Sequence, residues 1–201
     1  MSTEILKMVQ SLEQNSVCTQ LAVQCAPLLA GVKMSNLLII APKELVQIHR
    51  QLRGTGISSV ILAADKDKVT LLLYRAEELS AYLQSELIQK FLKSMGYGNP
   101  EDFKYFRKRY EAYLYLGGEF PHEMGLFLGY PLENVVGFME NEGRNYLYTG
   151  YWKVYADVPA KISLFTLYEQ ALEQVISFLS CGKSIDWIVA YYHHNRLTSA
   201  C

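Results

Sequence analysis

Three residue types that could perform nucleophilic chemistry are spread along the chain: Cys25, His122 and Asn141. Brought together, they would form a cysteine-dependent hydrolase site, in which His122 generates the Cys25 thiolate and Asn141 orients the imidazole ring. Their order along the chain permits this arrangement. Cys25, however, lies on an apolar helical face and is followed by Ala-Pro-Leu-Leu. That setting is more typical of a buried, unreactive thiol, so the hydrolase is an alternative and not the leading hypothesis.

His122 and Glu123 lie at the start of a short predicted helix. Imidazole titrates near neutral pH, so His122 has the chemistry of a general base. Glu123 has a simpler explanation, because the amide groups and dipole at a helix N-terminus favour a carboxylate. Adjacent helical side chains point about 100° apart, so this pair does not form a two-point metal ligand, and neither does His193-His194. The sequence therefore predicts no metal site and identifies no cofactor.

An aromatic segment at 146–155 is the second candidate for ligand binding. Its rings could stack on a ligand or on a nucleobase, although an ordinary strand that packs on both faces explains most of them. Gly150 is the exception, because a glycine inside a strand often marks a bulge or a close approach of the backbone. We expect a pocket beside this segment, walled by the preceding glycine-rich helices. Its predicted ligand-binding residues are His122, Glu123, Gly150, Tyr151, Trp152 and Lys153.

Prolines and glycines divide the segment before the aromatic one into two short helices. Pro121 suits the first position of a helix, and Gly129 suits the position just past its end, where a positive φ favours glycine. Pro131 can then begin a second helix, along which apolar residues recur every three or four positions. This pattern predicts a pair of short helices joined by a tight turn.

The same helix pair has the spacing of a helix-turn-helix unit. Gly125, Gly129 and Val135 match its small residue, turn glycine and branched core residue. The second helix, which would read the major groove, is acidic and has no Lys or Arg before Arg144. Because phosphates attract basic side chains, nucleic acid is not the expected partner, and DNA binding is a third alternative.

Composition indicates a soluble protein without a strong electrostatic preference. The chain has 201 residues, of which 50% are hydrophobic, and its 19 Lys and Arg nearly balance 20 Asp and Glu. Half-hydrophobic chains of this length fill one core, so we expect a single domain over residues 1–201, with a minor seam at 96–100. The N-terminus lacks the pattern of a secretory signal, and no apolar run approaches the roughly 20 residues that span a bilayer. Four scattered cysteines without a Cys-x-x-Cys pair fit a reducing compartment. We therefore expect a cytoplasmic protein without a membrane partner.

Hydrophobic periodicity predicts an α+β fold with helices at both ends. Residues 34–41 are apolar on both faces, which is typical of a central, buried strand. Two further strand patterns, joined by a polar turn, follow a short helix, and a long helix comes next. The predicted order is strand 34–41, helix 42–53, strand 57–64, strand 68–75, helix 76–95, helix 101–116, the helix pair at 121–139, strand 146–155, and helices 159–179 and 185–194.

The first five of these elements match a split β-α-β unit. A right-handed crossover would make the first two strands parallel, and the hairpin would add an antiparallel one. The segment 146–155 would supply the last strand. We therefore predict a mixed sheet of about four strands in a ferredoxin-like order, with a helical insertion before the last strand.

Three segments carry a family resemblance. Residues 120–138 read Phe-Pro-His-Glu-Met-Gly-Leu-Phe-Leu-Gly-Tyr-Pro-Leu-Glu-Asn-Val-Val-Gly-Phe, and 150–155 read Gly-Tyr-Trp-Lys-Val-Tyr. With Cys-Ala-Pro-Leu-Leu-Ala-Gly-Val-Lys at 25–33, they resemble a bacterial family common in Clostridia, domain of unknown function 3793. The resemblance extends from about Cys25 to Cys181. It implies no defined activity beyond an association with iron or redox metabolism.

The function that we expect is that of a cytoplasmic binding or regulatory protein. Its pocket, at His122 and Trp152, would hold a small molecule or a protein partner. The sequence does not identify the ligand or the oligomeric state, and it does not decide whether the protein is an enzyme.

Overall fold

The computed structural model of the protein describes residues 8–10, 12 and 16–199, with side chains described through residue 195. The fold is a mixed α+β architecture, as predicted. None of the described helices combines the length and apolarity that are needed to cross a membrane. The elements are α1 (Val17–Leu29), β1 (Ser35–Ile40), a 3-10 turn (Pro42–Glu44), α2 (Leu45–Leu52), β2 (Ile57–Ala64), β3 (Val69–Arg75), α3 (Ala76–Leu83), α4 (Glu86–Ser94), α5 (Phe103–Leu116), α6 (Met124–Phe127), α7 (Leu132–Glu140), β4 (Tyr148–Thr149), β5 (Lys153–Val154), α8 (Val158–Ser180) and α9 (Ile185–Ser199).

An antiparallel sheet of three strands, in the order β1-β3-β2, forms the centre of the fold. Its strands lie where the apolar runs predicted them. β3 is the central strand, with Leu71 and Leu73 in one core cluster and Leu72 in another, so both of its faces are buried. The prediction that 34–41 is the central strand was wrong: β1 lies at an edge, and Ile39 is 50% exposed.

The predicted fourth strand does not join this sheet. Instead, β4 and β5 form a separate antiparallel hairpin of two residue pairs, Tyr148 with Val154 and Thr149 with Lys153. The physical reason lies in where the aromatic side chains are buried, because Trp152 and Val154 pack with Phe165 of α8. The predicted four-stranded, ferredoxin-like sheet is therefore not confirmed among the described residues.

The long helix predicted at 76–95 is divided into α3 and α4. Ser85 adopts an extended conformation with φ −62° and ψ 141°, and it precedes the first residue of α4. Serine favours helix starts over helix interiors, because its hydroxyl competes for backbone hydrogen bonds. The break lets Leu83 and Ile88 enter the same core cluster from two directions.

The buried apolar side chains of the described residues form three clusters. The first lies between one face of the sheet and the helices α1, α8 and α9, and the second lies between the other face and α3 to α6. A smaller third cluster holds Trp152, Val154, Phe165 and Tyr168. Tyr130 packs against both the second and the third clusters. The candidate site lies at this junction.

Candidate ligand-binding site

A cleft of about 450 Å³ lies beside the helix pair α6 and α7 and the hairpin β4–β5. Its walls are mostly aromatic and aliphatic, with Phe120, Tyr130, Phe138, Tyr151 and Trp152 supplying the rings. A concave volume of this size, with an apolar lining and few polar groups, is typical of sites for small organic molecules.

Close packing within the helix pair shapes one wall of the cleft. Gly129 has a φ of 75°, and the N–H of Tyr130 donates to the carbonyl oxygen of Gly125 at 2.7 Å, which closes the turn as the sequence predicted. A β-carbon on Gly125 would lie 2.7 Å from Cγ2 of Val135, closer than van der Waals contact allows. The glycine therefore lets α6 and α7 approach each other and fixes Tyr130 between them.

The hairpin forms the opposite wall. Gly150 lies against the ring of Phe165 in α8, where a side chain would overlap the ring, so the backbone approaches closely at this glycine as predicted. It lies between the two strands and not inside one, and it is not among the residues that line the cleft, although the sequence grouped it with the ligand-binding residues. The Trp152 indole stacks on Tyr130, with ring centroids 4.5 Å apart, and meets Phe165 edge-on at 4.6 Å. Tyr151 is 42% exposed and lies at the rim. The indole is thus held from two sides.

Three buried polar side-chain atoms have no hydrogen-bond partner among the described residues, and two of them belong to residues that line the cleft: Asn134 and Trp152. Oδ1 of Asn134 accepts from the backbone N–H of Tyr155 at 2.7 Å, which fixes the orientation of the amide because that N–H can only donate. Nδ2 of Asn134 and Nε1 of Trp152 then have no acceptor among the described residues. Both residues line the cleft, and they are only 2% and 8% exposed. An unsatisfied buried donor destabilises a protein by about 1–3 kcal/mol, so native structures rarely retain one without a reason.

Besides the phenols of Tyr130 and Tyr151, the ionisable residues that line the cleft are His122 and Lys153, and no Asp or Glu lies among the lining residues. Nζ of Lys153 donates to the carbonyl oxygen of Gly143 at 2.6 Å and lies 5.0 Å from the ring centroid of Tyr146. The half-buried His122 ring lies 5.1 Å from that of Phe138. The polar character of the cleft is therefore that of donors and a cation.

Glu123 does not line this cleft, although the sequence grouped it with the predicted ligand-binding residues. Its carboxylate is fully buried and forms an ion pair with Arg109, whose Nη2 donates to Oε2 at 3.3 Å. The Tyr97 hydroxyl also donates to it, at 3.1 Å. The hydrogen bond that Arg109 donates to Glu123 raises the pKa of the Arg109 guanidinium. The carboxylate is explained by these partners, and no side-chain capping bond is made at the start of α6.

The structure does not bring Cys25, His122 and Asn141 together. Cys25 is fully buried in the first core cluster, and its Sγ accepts from Nδ2 of Asn36 at 3.5 Å. Burial raises the pKa of the Cys25 thiol to about 12. Asn141 ends α7 and donates through Nδ2 to the carbonyl oxygen of Gly137 at 2.9 Å. Among the described contacts, none joins these three side chains, so the thiolate mechanism has no geometric basis there.

Sequence reasoning missed Asn134, Tyr130 and Phe138, which the structure places in the cleft. One signal was available for two of them. Asn134 and Phe138 are four residues apart and therefore share a face of α7, where a polar side chain interrupts an apolar stripe. Tyr130 lies between the helices and carries no periodic signal. The part of the chain that the structure describes holds no group of three or more His, Cys, Asp or Glu side chains placed to bind a metal ion.

Comparison with known proteins identifies a family and nothing closer. No match was found among curated proteins or among solved structures. The model of one family, described as a protein of unknown function (DUF3793), matches residues 21–189. Those residues include the helix pair, the hairpin and the whole lining of the cleft. The chain therefore belongs to the DUF3793 family of proteins of unknown function.

Proposed function

We propose that the protein is a cytoplasmic binding or regulatory protein that holds a small, mostly apolar ligand in the cleft between the helix pair and the hairpin. The observation that carries the proposal is the pair of buried donors on Asn134 and Trp152, which lack acceptors among the described residues. A ligand oxygen would satisfy them and recover the free energy that their isolation removes.

The shape of the cleft supports the same proposal. Rings from both walls give a ligand flat surfaces to pack on, and about 450 Å³ accommodates a molecule with one or two rings. Both donor nitrogens are shielded from solvent, so a ligand oxygen would reach them only after neighbouring side chains move. The exposed rim residues Phe120 and Tyr151 leave a protein segment as an alternative occupant.

An NMR titration tests the proposal directly. The chain has two tryptophans, so the indole N–H region of a ¹H–¹⁵N spectrum contains two signals, which Trp187→Phe assigns. Trp187 is 38% exposed and does not line the cleft, which makes it an internal control. Naphthalene derivatives that bind in the cleft shift the Trp152 signal and leave the Trp187 signal in place. If no derivative at millimolar concentration moves the Trp152 signal selectively, the proposal fails.

A further inference from the structure

We infer that the ligand of this cleft is an anion, an aromatic acid whose ring packs between the two walls and whose negative charge lies beside Lys153. The inference rests on the proposed function and narrows it to one class of molecule. Three features support it. The buried side chains of Asn134 and Trp152, which we call the floor of the cleft, have only donors left to offer. The charge in the lining is positive, and Lys153 is held in place by other contacts.

The floor of the cleft offers donors and no free acceptor from its two buried polar side chains. The amide oxygen of Asn134 is taken by the N–H of Tyr155, and an indole nitrogen can only donate. A ligand that carries its own donors, such as an amine, finds no complementary atom on Asn134 or Trp152. A ligand with oxygen acceptors does.

The charge of the lining favours anions over cations. Lys153 contributes a full positive charge, and the lining contains no carboxylate to offset it. Among the described residues, the ion pairs involve other cations: Lys90, Arg107, Arg109, Arg144 and Lys161. Opposite charges in a partly desolvated site attract more strongly than they do in water. An acid therefore gains an ion pair that a neutral molecule of the same shape lacks.

Lys153 is held in place without being neutralised. Its ammonium group has three donors, and the carbonyl oxygen of Gly143 accepts from one of them at 2.6 Å. The ring centroids of Tyr146 and Phe138 lie 5.0 and 5.7 Å from Nζ, within the range of a cation–π contact. These contacts reduce the conformational entropy that the side chain would lose on binding, and they leave donors for a carboxylate.

Three probes of one shape and different charge test the inference: 1-naphthoate, 1-naphthamide and 1-naphthylmethylamine, which is a cation at pH 7.5. Isothermal titration calorimetry measures their dissociation constants on the full chain. We expect naphthoate to bind at least tenfold more tightly than naphthamide, and the amine to bind more weakly than both.

The outcomes separate the two proposals. If none of the probes binds, the proposed function and the inference both fail. If naphthamide or the amine binds as tightly as naphthoate, a ligand-binding cleft stands and its preference for anions is overturned. This series needs no variant, so it decides the charge preference even where a substitution impairs folding.

Variants of Lys153 then test whether this side chain causes the preference for naphthoate over naphthamide. Lys153→Met keeps the aliphatic length and removes the charge, so we expect the naphthoate preference to fall to within about threefold. Lys153→Arg keeps the charge and retains the preference. Lys161→Met, which removes a cation that pairs with Glu133 and does not line the cleft, is the matched control and leaves the preference unchanged. A preference that survives in Lys153→Met overturns the assigned role of this lysine.

Discussion

Two sets of buried polar side chains lie near the short helix α6, and they differ in how their hydrogen bonds are satisfied. Glu123, which precedes the helix, has its carboxylate oxygens engaged by Arg109 and Tyr97. Asn134 and Trp152, in the cleft, each have a donor without an acceptor among the described residues. The hydrogen bonds of the first set are satisfied within the chain, whereas in our proposal a bound ligand supplies the acceptors for the second set. The comparison separates a polar group that stabilises the fold from polar groups that are available for binding.

The largest expected loss of stability comes from disrupting the contacts of Glu123 with Arg109 and Tyr97. Arg109→Met removes the cation and leaves the Glu123 carboxylate buried and unpaired, which we expect to lower the free energy of unfolding by about 3 kcal/mol. Urea denaturation followed by far-UV circular dichroism measures the change.

Arg107→Met is the matched control for that substitution. Arg107 also lies on α5, but its side chain is 49% exposed and pairs with Glu111 on the surface. Surface pairs of this kind contribute well under about 1 kcal/mol. Equal losses in the two variants would mean that Glu123 is not held as a buried ion pair.

The second prediction concerns the contact between α7 and the segment after β5. A β-carbon on Gly137 would lie 2.6 Å from Cβ and Cγ of Tyr155, and Tyr155 donates its N–H to Asn134. Gly137→Ala should therefore destabilise the protein by about 1–2 kcal/mol, because the overlap outweighs the gain in helix propensity. Thermal unfolding monitors the loss.

Gly98→Ala is the control for this prediction, since a β-carbon there meets no atom within 4 Å. We expect that variant to stay within about 0.5 kcal/mol of the unmodified protein. A Gly137→Ala variant as stable as Gly98→Ala would contradict the close packing of α7 on Tyr155.

The third prediction concerns Asn134 and Trp152, whose donors lack acceptors among the described residues. Trp152→Phe removes the Nε1 donor and part of the ring, so lost packing is partly offset by the removal of an unsatisfied group. We expect a loss of about 1 kcal/mol in stability and a roughly tenfold loss in affinity for 1-naphthoate, the size of one hydrogen bond to a charged acceptor. Calorimetry on this variant and on Trp187→Phe, which should bind normally, distinguishes a local effect from a general one. Unchanged affinity in Trp152→Phe would remove the indole from the proposed site.

The smallest effect arises at the buried Cys25 and the half-buried Lys33. Burial raises the pKa of the Cys25 thiol to about 12, so the unfolded thiol loses its proton first, and stability falls as the pH rises above about 8.5. Burial lowers the pKa of Lys33 to about 8, so the folded amine loses its proton first, and stability rises from pH 8 to about 10.4. The two dependences oppose each other in the window that they share.

Lys33→Met removes the rise in stability with pH that the lysine causes and leaves the fall that Cys25 causes. We expect the stability of the variant to fall more steeply between pH 8.5 and 9.5 than that of the unmodified protein, by no more than about 1.4 kcal/mol per pH unit. Urea denaturation at three pH values is sufficient. The same experiment includes a chemical check, because iodoacetamide at pH 8 should label the exposed Cys181 and leave Cys25 unlabelled until urea unfolds the protein. Rapid labelling of Cys25 in the folded protein would restore the hydrolase hypothesis.

Local signals in the sequence were sufficient for most element boundaries. The turn at Gly129 and the second helix after Pro131 follow from backbone rules that depend on one or two residues. The strands β2 and β3 follow from apolar runs on either side of a polar turn. The glycine-rich and aromatic segments pointed to His122, Tyr151, Trp152 and Lys153, which line one cleft, and their role in binding stays a prediction.

Information about distant partners was not available from those signals. The apolar run in β1 does not reveal that the strand lies at an edge of the sheet. A helix can cover an edge strand, so an edge strand can be as apolar as a central one. The separation of β4 and β5 from the sheet depends on Phe165 in α8, which offers Trp152 a better surface for burial. The burial of Glu123 likewise depends on Arg109, fourteen residues earlier, a pairing that no helical or strand period encodes.

The hairpin β4–β5 has a consequence for how a molecule would enter and leave. Two residue pairs hold its strands together. Its largest side chain, Trp152, packs against Tyr130 on one side and Phe165 on the other. Such a small unit opens at lower free energy than the three-stranded sheet does. Its amide hydrogens should therefore exchange with deuterated solvent well before those of β3, and an occupant that touches both walls should slow that exchange at Tyr148 and Val154.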